Sequence, residues 1–490
     1  MKSTYYSKEQ IKRRVRDPKE AEVIWDQMMQ ERALTKIDLP IDDQYRRSFF
    51  YVDITEIREM IQKIIEIDQN LSIMQINVST SLSMADESYY SSVLEGAYST
   101  RKRAQEVIRT LDIQNRSEQM IVNNYHGLQF ALTHGDDLWS REKFIELHKI
   151  ITKNTLSKED ESVDFRTDHV RIADVQTNET VYHAPQAEFI EGMIENLILF
   201  TKGSTLSPLI VASIVHFYIG FVHPFFDGNG RTARAMMYGY LIAKGFPAFQ
   251  NFSISSKYNF SKSAYYQAFI DTEKEMDLTY FILMNLRAIL DSITDYQLKM
   301  VVYLRKVEID QKIIENQLVV TKNQNKIIKI AVEQGEVRLS SKIQKWWESN
   351  EQMNTELTQL IKSGIFVQKK SHHYMLANDK SVDGATKGLD VQKLHDLLFG
   401  ILDEEAPLLL DLEAHFVQVT DVESVEIHSV VPNRNRVQIG GTGTVFVTLQ
   451  YGSDIDVRHD GIEMEHDYLF TFRLIVDDEG GVKDYEVDIF

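Results

Sequence analysis

Twelve consecutive residues hold the ingredients of polyphosphate chemistry: His223, Pro224, Phe225, Phe226, Asp227, Gly228, Asn229, Gly230, Arg231, Thr232, Ala233 and Arg234. An imidazole has a reference pKa of about 6.5, so His223 can accept a proton at neutral pH. Asp227 offers a hard carboxylate oxygen of the kind that holds Mg2+ against phosphates. Gly228, Asn229 and Gly230 form a short run able to adopt positive φ, so that successive backbone N–H groups can point into one concavity. Arg231 and Arg234 stand three apart, on one face of a helix, and their forked guanidinium groups suit phosphate oxygens. Taken singly these are a packed histidine, a turn and a charged helix surface. Their combination at fixed spacing points to nucleotide chemistry.

Such a loop needs a rigid mount on either side. Upstream, residues 206–222 are mostly apolar, with Leu209, Ile210, Ala212, Ile214, Val215, Phe217, Tyr218 and Phe221, and read as a buried helix that delivers His223. His216 and the glycine run that follows at once exclude a membrane span. Downstream, Ala233, Met236, Met237, Tyr240, Leu241 and Ala243 recur at helical spacing from Thr232, and Gly245 and Pro247 stop the pattern. The loop therefore opens a helix N-terminus, where free N–H groups and the macrodipole favour an anion.

With its mounts, the stretch resembles the Fic family, whose signature is His-x-Phe-x-(Asp/Glu)-Gly-Asn-Gly-Arg-x-x-Arg. Every fixed position is matched, from His223, Phe225 and Asp227 to Arg231 and Arg234. The resemblance implies an all-α fold and transfer of AMP from ATP to a protein hydroxyl. It makes His223 the catalytic general base, Asp227 the Mg2+ ligand, the backbone of Gly228, Asn229 and Gly230 the phosphate cradle, and Arg231 and Arg234 the ligands of the outer phosphates. The Doc branch of the family acts as a kinase and replaces the second glycine of the loop. Gly230 is intact here, which favours AMP transfer.

Upstream lie Ser91, Ser92, Val93, Leu94, Glu95 and Gly96. Alone they read as an ordinary helix, with Ser91 and Glu95 one turn apart and a solvated glutamate. Beside the loop they resemble the inhibitory helix of some Fic proteins, (Ser/Thr)-x-x-x-Glu-(Gly/Asn), matched by Ser91, Glu95 and Gly96. That resemblance implies an intramolecular brake in which Glu95 pairs with Arg234 and blocks productive binding of the γ-phosphate.

Between the two motifs, residues 170–175 and 180–182 lean to β structure around a polar stretch at 176–179, which reads as a hairpin. A surface hairpin without function is the plain alternative. Fic proteins carry a flap here, and Val170, Arg171, Ile172, Val181 and Tyr182 resemble it. A flap would align a target's backbone by strand addition. Tyr265 and Tyr266 resemble part of a helix where a ring could stack on adenine, although two adjacent tyrosines are more often core residues.

The 490 residues suggest two to four domains, and 43% hydrophobic content can bury a sizeable core. The absence of cysteine excludes a disulfide framework and suits a reducing cytoplasm. No signal peptide or transmembrane run is visible, so the expectation is a cytoplasmic protein. Residues 1–110 read as helical, with Ile57, Met60, Ile61, Ile64 and Ile65 as one stripe. Catalytic helices are expected at 120–132, 141–151, 188–200, 206–222, 232–244 and 278–292, then a further long helix at 296–318. Residues 319–378 read as three short helices (325–334, 340–347, 353–363) and two strands (364–370, 373–376), an order resembling a winged helix. Its lysines make DNA a conceivable partner, less favoured than a protein contact or packing role. After a polar linker at 378–388 come 22 Asp and Glu against 6 Lys and Arg from Asp390 to Phe490, a net −16 of the chain's −19. Beyond a helix at 391–402, strands are expected at 425–431, 437–439, 445–450, 468–476 and 484–489, with Gly440, Gly441, Thr442 and Gly443 as a turn between two of them. Asp454, Asp456 and Asp460 could hold a cation, although a solvated acidic face is the commoner outcome.

The expected architecture is mainly α. A helical region with the inhibitory helix (1–110) precedes a Fic catalytic domain with a β-hairpin flap (111–300). A linker helix and winged helix (301–380) and an acidic, antiparallel β-rich domain (389–490) follow. The expected function is transfer of AMP from ATP, with Mg2+, to a Tyr, Thr or Ser hydroxyl of a target protein, self-modification and a homodimer being left open. The alternatives are removal of AMP from a modified protein, another nucleotide donor, and a DNA-binding regulator that senses nucleotide.

Overall fold

The computed structural model describes residues 5–15, 17–73, 80–168, 171–173, 180–377, 398–399, 401–402, 416–433, 436–451, 462–477 and 482–489. The chain forms two compact units, Met1–Tyr296 and Gln297–Phe490. The first is mainly helical: α1 (Lys8–Arg14), α2 (Pro18–Ala33), α3 (Thr55–Ile73), α4 (Thr80–Leu94), α5 (Arg101–Thr110), α6 (Arg116–His134), α7 (Arg141–Thr152), α8 (Lys158–Glu161), α9 (Ala187–Gly203), α10 (Pro208–Val222), α11 (Asn229–Ala243), α12 (Ser255–Phe260), α13 (Lys262–Glu275) and the first half of α14 (Thr279–Glu315), whose second half belongs to the second unit. Two hairpins interrupt them, β1 (Lys36–Asp42) with β2 (Ser48–Val52), and β3 (Arg171–Ala173) with β4 (Thr180–His183).

Helices α10 and α11 form the centre. The apolar run of α10 is buried on all sides, and Pro208 at its first turn suits an entry where the N–H has no helical partner. Helix α11 is buried from Arg231 to Leu241 and packs on α10, α6 and α4. It ends at Lys244 with Gly245 N–H on Ile242 O and Phe246 N–H on Leu241 O, the paired bonds of a Schellman stop. Side-chain caps start the flanking helices: Thr100 for α5, Asn115 for α6, Ser140 for α7.

Residues 1–110 are not wholly helical, contrary to the sequence expectation. Ile37, Leu39 and Ile41 alternate with polar residues in β1, and β2 buries Phe49, Phe50, Tyr51 and Val52. A second correction concerns α14, which is one helix where two were expected. Its polar residues near the supposed break are held from outside, Ser292 donating to Ser253 O (3.2 Å) and Asp295 pairing with Lys257 (2.6 Å). Of the expected stripe in α3, Ile57, Met60 and Ile64 are buried and Ile61 and Ile65 half-buried.

In the second unit, α15 (Lys322–Gln334), β5 (Glu336–Arg338), α16 (Ser341–Gln344), α17 (Asn350–Lys362), β6 (Phe366–Lys370) and β7 (His373–Leu376) surround a core that includes Ile327, Ala331, Leu357, Leu360 and Phe366. Its antiparallel sheet has the order β5-β7-β6. Strand β5, three residues long, was not foreseen. Strands β8 (Phe416–Asn433), β9 (Arg436–Tyr451), β10 (Ile462–Asp477) and β11 (Val482–Ile489) make an antiparallel meander. The expected turn at Gly440–Gly443 is absent. Those residues run through the middle of β9, paired with β10 on one side and β8 on the other. Gly441 pairs with Phe472 and Gly443 with Phe470 in the register. Bulges in β8 opposite the same stretch absorb its irregularity. The expected helix at 391–402 lies mostly outside the described residues, as does the acidic group Asp454, Asp456 and Asp460.

Candidate active site

His223 is the first residue beyond α10, its N–H still bonded to Ile219 O (3.0 Å) while its own backbone turns left-handed (φ 49°, ψ 56°). The chain then makes a five-residue loop and enters α11. Of the run once expected to share positive φ, only Gly228 has it (φ 84°); Asn229 and Gly230 are already the first helical residues. A side chain at Gly228 would also strike Thr152, 2.6 Å from the position of a Cβ. The Asn229 side chain is spent on the loop itself, accepting from Phe225 N–H (2.9 Å) and donating to Phe225 O (2.8 Å). An anion at this loop would meet Asn229 through its backbone N–H alone. The first intrahelical bond is Thr232 N–H to Gly228 O (2.9 Å), and no side chain caps the helix start. The N–H groups of Asn229, Gly230 and Arg231 precede that bond and form the positive end of α11.

Both arginines are buried and held. Arg231 donates to Asp227 Oδ1 (3.1 Å) and Ile151 O (3.3 Å). Arg234 donates through Nε to Ser91 Oγ (2.8 Å), and through Nη2 to Ser91 O (2.8 Å) and Glu95 Oε1 (2.8 Å). Burial disfavours the Arg234 charge, but Glu95 and then Tyr265 outweigh it and raise its pKa above the ordinary arginine value. Glu95 also lies against the start of α11: a Cβ on Gly230 would sit 2.0 Å from Glu95 Oε1. Gly230 is thus the space the carboxylate occupies. Helix α4 stops just before it, with Gly96 N–H on Val93 O (3.0 Å) and Ala97 N–H on Ser92 O (3.0 Å).

Burial pushes the His223 pKa below its usual value, offset in part by the Gly220 carbonyl and by Glu95. The ring is therefore neutral at pH 7, the state a proton acceptor needs. Asp227 takes Gly228 N–H and Arg231 on Oδ1 and Arg116 on Oδ2 (3.1 Å). A cation shared with substrate phosphates needs only one or two protein carboxylates. Asp227 supplies one beside the helix start, and no group of three or more His, Asp or Glu side chains suited to a metal occurs among the described residues. The donor set fits Mg2+ held jointly with a nucleotide.

Three contributors, His148, Arg116 and Arg166, went unread in the sequence. His148 of α7 stacks on Phe225 (ring centroids 3.5 Å apart) and its Nε2–H donates to Asp227 O (2.9 Å), with burial lowering its pKa to about 4. Arg116 grips Asp227 from α6. Arg166, buried, donates to His223 O (2.7 Å), Asp168 O (2.8 Å) and Pro185 O (2.5 Å), tying both stems of the β3–β4 hairpin to the loop. Tyr265 is buried among aromatic rings, its hydroxyl bonded to His216 (2.9 Å) and Arg234 (3.4 Å), which is a core position; Tyr266 is 44% exposed. A basic or imidazole side chain in a helix, as at Arg116 and His148, or in the segment after α8, as at Arg166, carries no local signal of such a role.

The hairpin pairs Arg171 with His183, Ile172 with Tyr182 and Ala173 with Thr180. Val170, Asp174 and Val175 of the expected first strand lie outside the described residues.

Residues 138–241 match the model of the Fic/DOC family. Residues 393–489 match a second model, described as a predicted pPIWI-associating nuclease. Among curated proteins, the chain is 26% identical over 170 residues to a protein adenylyltransferase Fic of Nematostella vectensis, covering 32% of this chain and 38% of that one. It is 46% identical over 44 residues to the protein of the same name from Drosophila erecta, covering 9% of each. The chain thus spans well under two thirds of the length of these relatives. A solved Fic family protein of Desulfovibrio desulfuricans G20 aligns with TM-score 0.45 at 17% identity, over 67% of this chain and 98% of that one.

Proposed function

We propose that this Fic-domain chain transfers AMP from ATP to a Tyr, Thr or Ser hydroxyl of a target protein, and that Glu95 restrains it. The observation that carries the reading is the position of the Glu95 carboxylate, set between Gly230 at the start of α11 and the Arg234 guanidinium. An anion already sits where phosphate oxygens would be drawn, beside a neutral His223. The target oxygen attacks the α-phosphorus, His223 takes the hydroxyl proton, the new P–O bond forms, and the bond to the β-phosphate oxygen breaks to release pyrophosphate. The N–H groups of Asn229, Gly230 and Arg231 hold phosphate oxygens, and Arg234, once free of Glu95, holds the outermost ones. Mg2+, on Asp227, would neutralise charge on the phosphates. The β3–β4 edge would receive the target backbone, which explains recognition of a hydroxyl without one fixed sequence. The described helices include none long and apolar enough to cross a membrane.

Incubation of wild type and Glu95→Gly with α-32P-ATP and Mg2+, beside γ-32P-ATP, tests the reading. Label from the α position alone, stronger in the variant, supports it. Label from the γ position would replace AMP transfer by phosphate transfer. Release of AMP from a pre-modified target by wild type would favour the reverse reaction.

A second reading rests on the match at 393–489 to a model described as a predicted pPIWI-associating nuclease. It connects the chain to nucleic-acid processing, with the Fic domain sensing nucleotide. The net −16 from Asp390 to Phe490 opposes direct contact with phosphate backbone, so this module would act through a protein partner. A salt-sensitive gel shift of the full chain on duplex DNA would favour direct binding through 319–378 instead.

A further inference from the structure

Helix α4 meets α11 through a ladder of residues four apart on each helix. Glu95 lies at Gly230 and Arg234, Ser91 bonds Arg234, and Glu87 bonds Tyr238. The first two rungs belong to the restraint proposed above. The third has no part in it, yet it is the most heavily bonded. Glu87 is buried (3% exposed). Its Oε2 accepts from the Tyr238 hydroxyl (2.9 Å), Ser253 Oγ (2.8 Å) and Ser255 N–H (2.9 Å), and its Oε1 from Ser255 Oγ. Tyr238 is itself fixed, accepting Ile254 N–H (2.7 Å).

The other ties of α4 are weaker. Ser83 reaches Asn251 O, Asn124 reaches Ser88 O at 3.2 Å, and Ser92 reaches Met120 O at 3.5 Å; each is a single neutral bond. The Asp86–Arg101 pair is on the surface. Apart from the Arg234 bonds to Ser91 and Glu95, four donors converging on one buried carboxylate form the strongest of these attachments.

We infer that Glu87 is the positioning residue that holds the Ser91–Glu95 turn against α11, so that detaching Glu87 detaches Glu95 from Arg234. The inference rests on the restraint proposed for Glu95. It adds that the helix is let go at its buried rung, two turns from the phosphate site. A signal that disturbs Ser253–Ser255 or Tyr238 would then relieve the restraint without touching the nucleotide loop.

The test compares full-length wild type, Glu87→Ala, Glu87→Gln, Tyr238→Phe, Glu95→Gly and the double variant Glu87→Ala/Glu95→Gly. Two quantities are read: self-labelling from α-32P-ATP, and hydrogen exchange of the backbone amides at 88–94. Glu87→Ala should quicken exchange and raise labelling about tenfold. Glu87→Gln keeps an acceptor for the serines and should change both less. The double variant should label no faster than Glu95→Gly. A folded Glu87→Ala with wild-type exchange and labelling, while Glu95→Gly gains, overturns the role of Glu87. Should Glu87→Ala not fold, Tyr238→Phe decides: about threefold faster labelling supports the inference and no change overturns it. Absence of gain in Glu95→Gly removes the restraint itself, and exchange at 88–94 then decides alone whether Glu87 holds the helix.

Discussion

Two helix ends meet at this site, the first turn of α11 and the last turn of α4, and they are built on opposite terms. The α11 turn is continuous with its proposed catalytic neighbours: His223, Asp227, Arg231 and Arg234 follow one another through a single loop and the helix start. The α4 turn supplies one carboxylate and one hydroxyl from more than a hundred residues upstream. The first end offers N–H groups to an anion, and the second brings an anion of the protein's own. In the proposed function a binding site and its occupant are thus encoded in one chain, and their balance would set how much nucleotide binds productively.

The sharpest way to separate the two ends is to disable the first. His223→Ala should lower AMP transfer by about 10²- to 10⁴-fold, the usual share of a general base, with an unchanged circular dichroism spectrum. Transfer at the wild-type rate from α-labelled ATP would end its role. Disabling the second end has the opposite sign. Glu95→Gly removes a charged hydrogen bond of about 1.5–3 kcal/mol and should raise transfer about 10- to 100-fold.

The loop's support responds to pH. His148 has a folded pKa of about 4 against an unfolded value near 6.5, because burial disfavours its charged form. Between those values the unfolded chain binds the extra proton, so stability is complete above about pH 6.5 and declines as pH falls, by about 2–3 kcal/mol at pH 4. Urea unfolding at several pH values should show this slope, and His148→Gln should flatten it. His223 has the same sign. Its depressed pKa keeps the base competent down to below about pH 6.5, so a pH–rate profile should turn down only on the acid side of that value. The smallest effect couples the two ends. Gly230→Ala should cost about 1–3 kcal/mol of stability by overpacking, and less in a Glu95→Gly background, because the carboxylate it strikes is gone. Equal losses in both backgrounds, measured by thermal melts, would mean that the carboxylate does not occupy that space.

Legibility followed the same division. The loop, α10 and α11 could be read because chemistry, spacing and periodicity coincide between Pro208 and Ala243. Ser91, Glu95 and Gly96 were readable only by resemblance to a motif, since a serine and a glutamate one turn apart suit any helix. His148, Arg116 and Arg166 were not readable at all. They reach the loop from three separate segments, and only the tertiary fold brings them within hydrogen-bond distance. The β1 strand was obscured by its shortness and by Pro40 inside the alternation. The Gly440–Gly443 run was misread because glycines mark turns locally, whereas pairing on both sides of β9 holds them extended.

The left-handed backbone of His223 has a cost that the chemistry conceals. A non-glycine residue in this region is disfavoured by roughly 1–2 kcal/mol, and the chain accepts that to aim an imidazole at the loop. Glycine at the same position would relax the joint between α10 and α11. The His223→Gly protein should therefore melt no earlier than wild type, and selection for durability alone would discard the residue proposed here as the base.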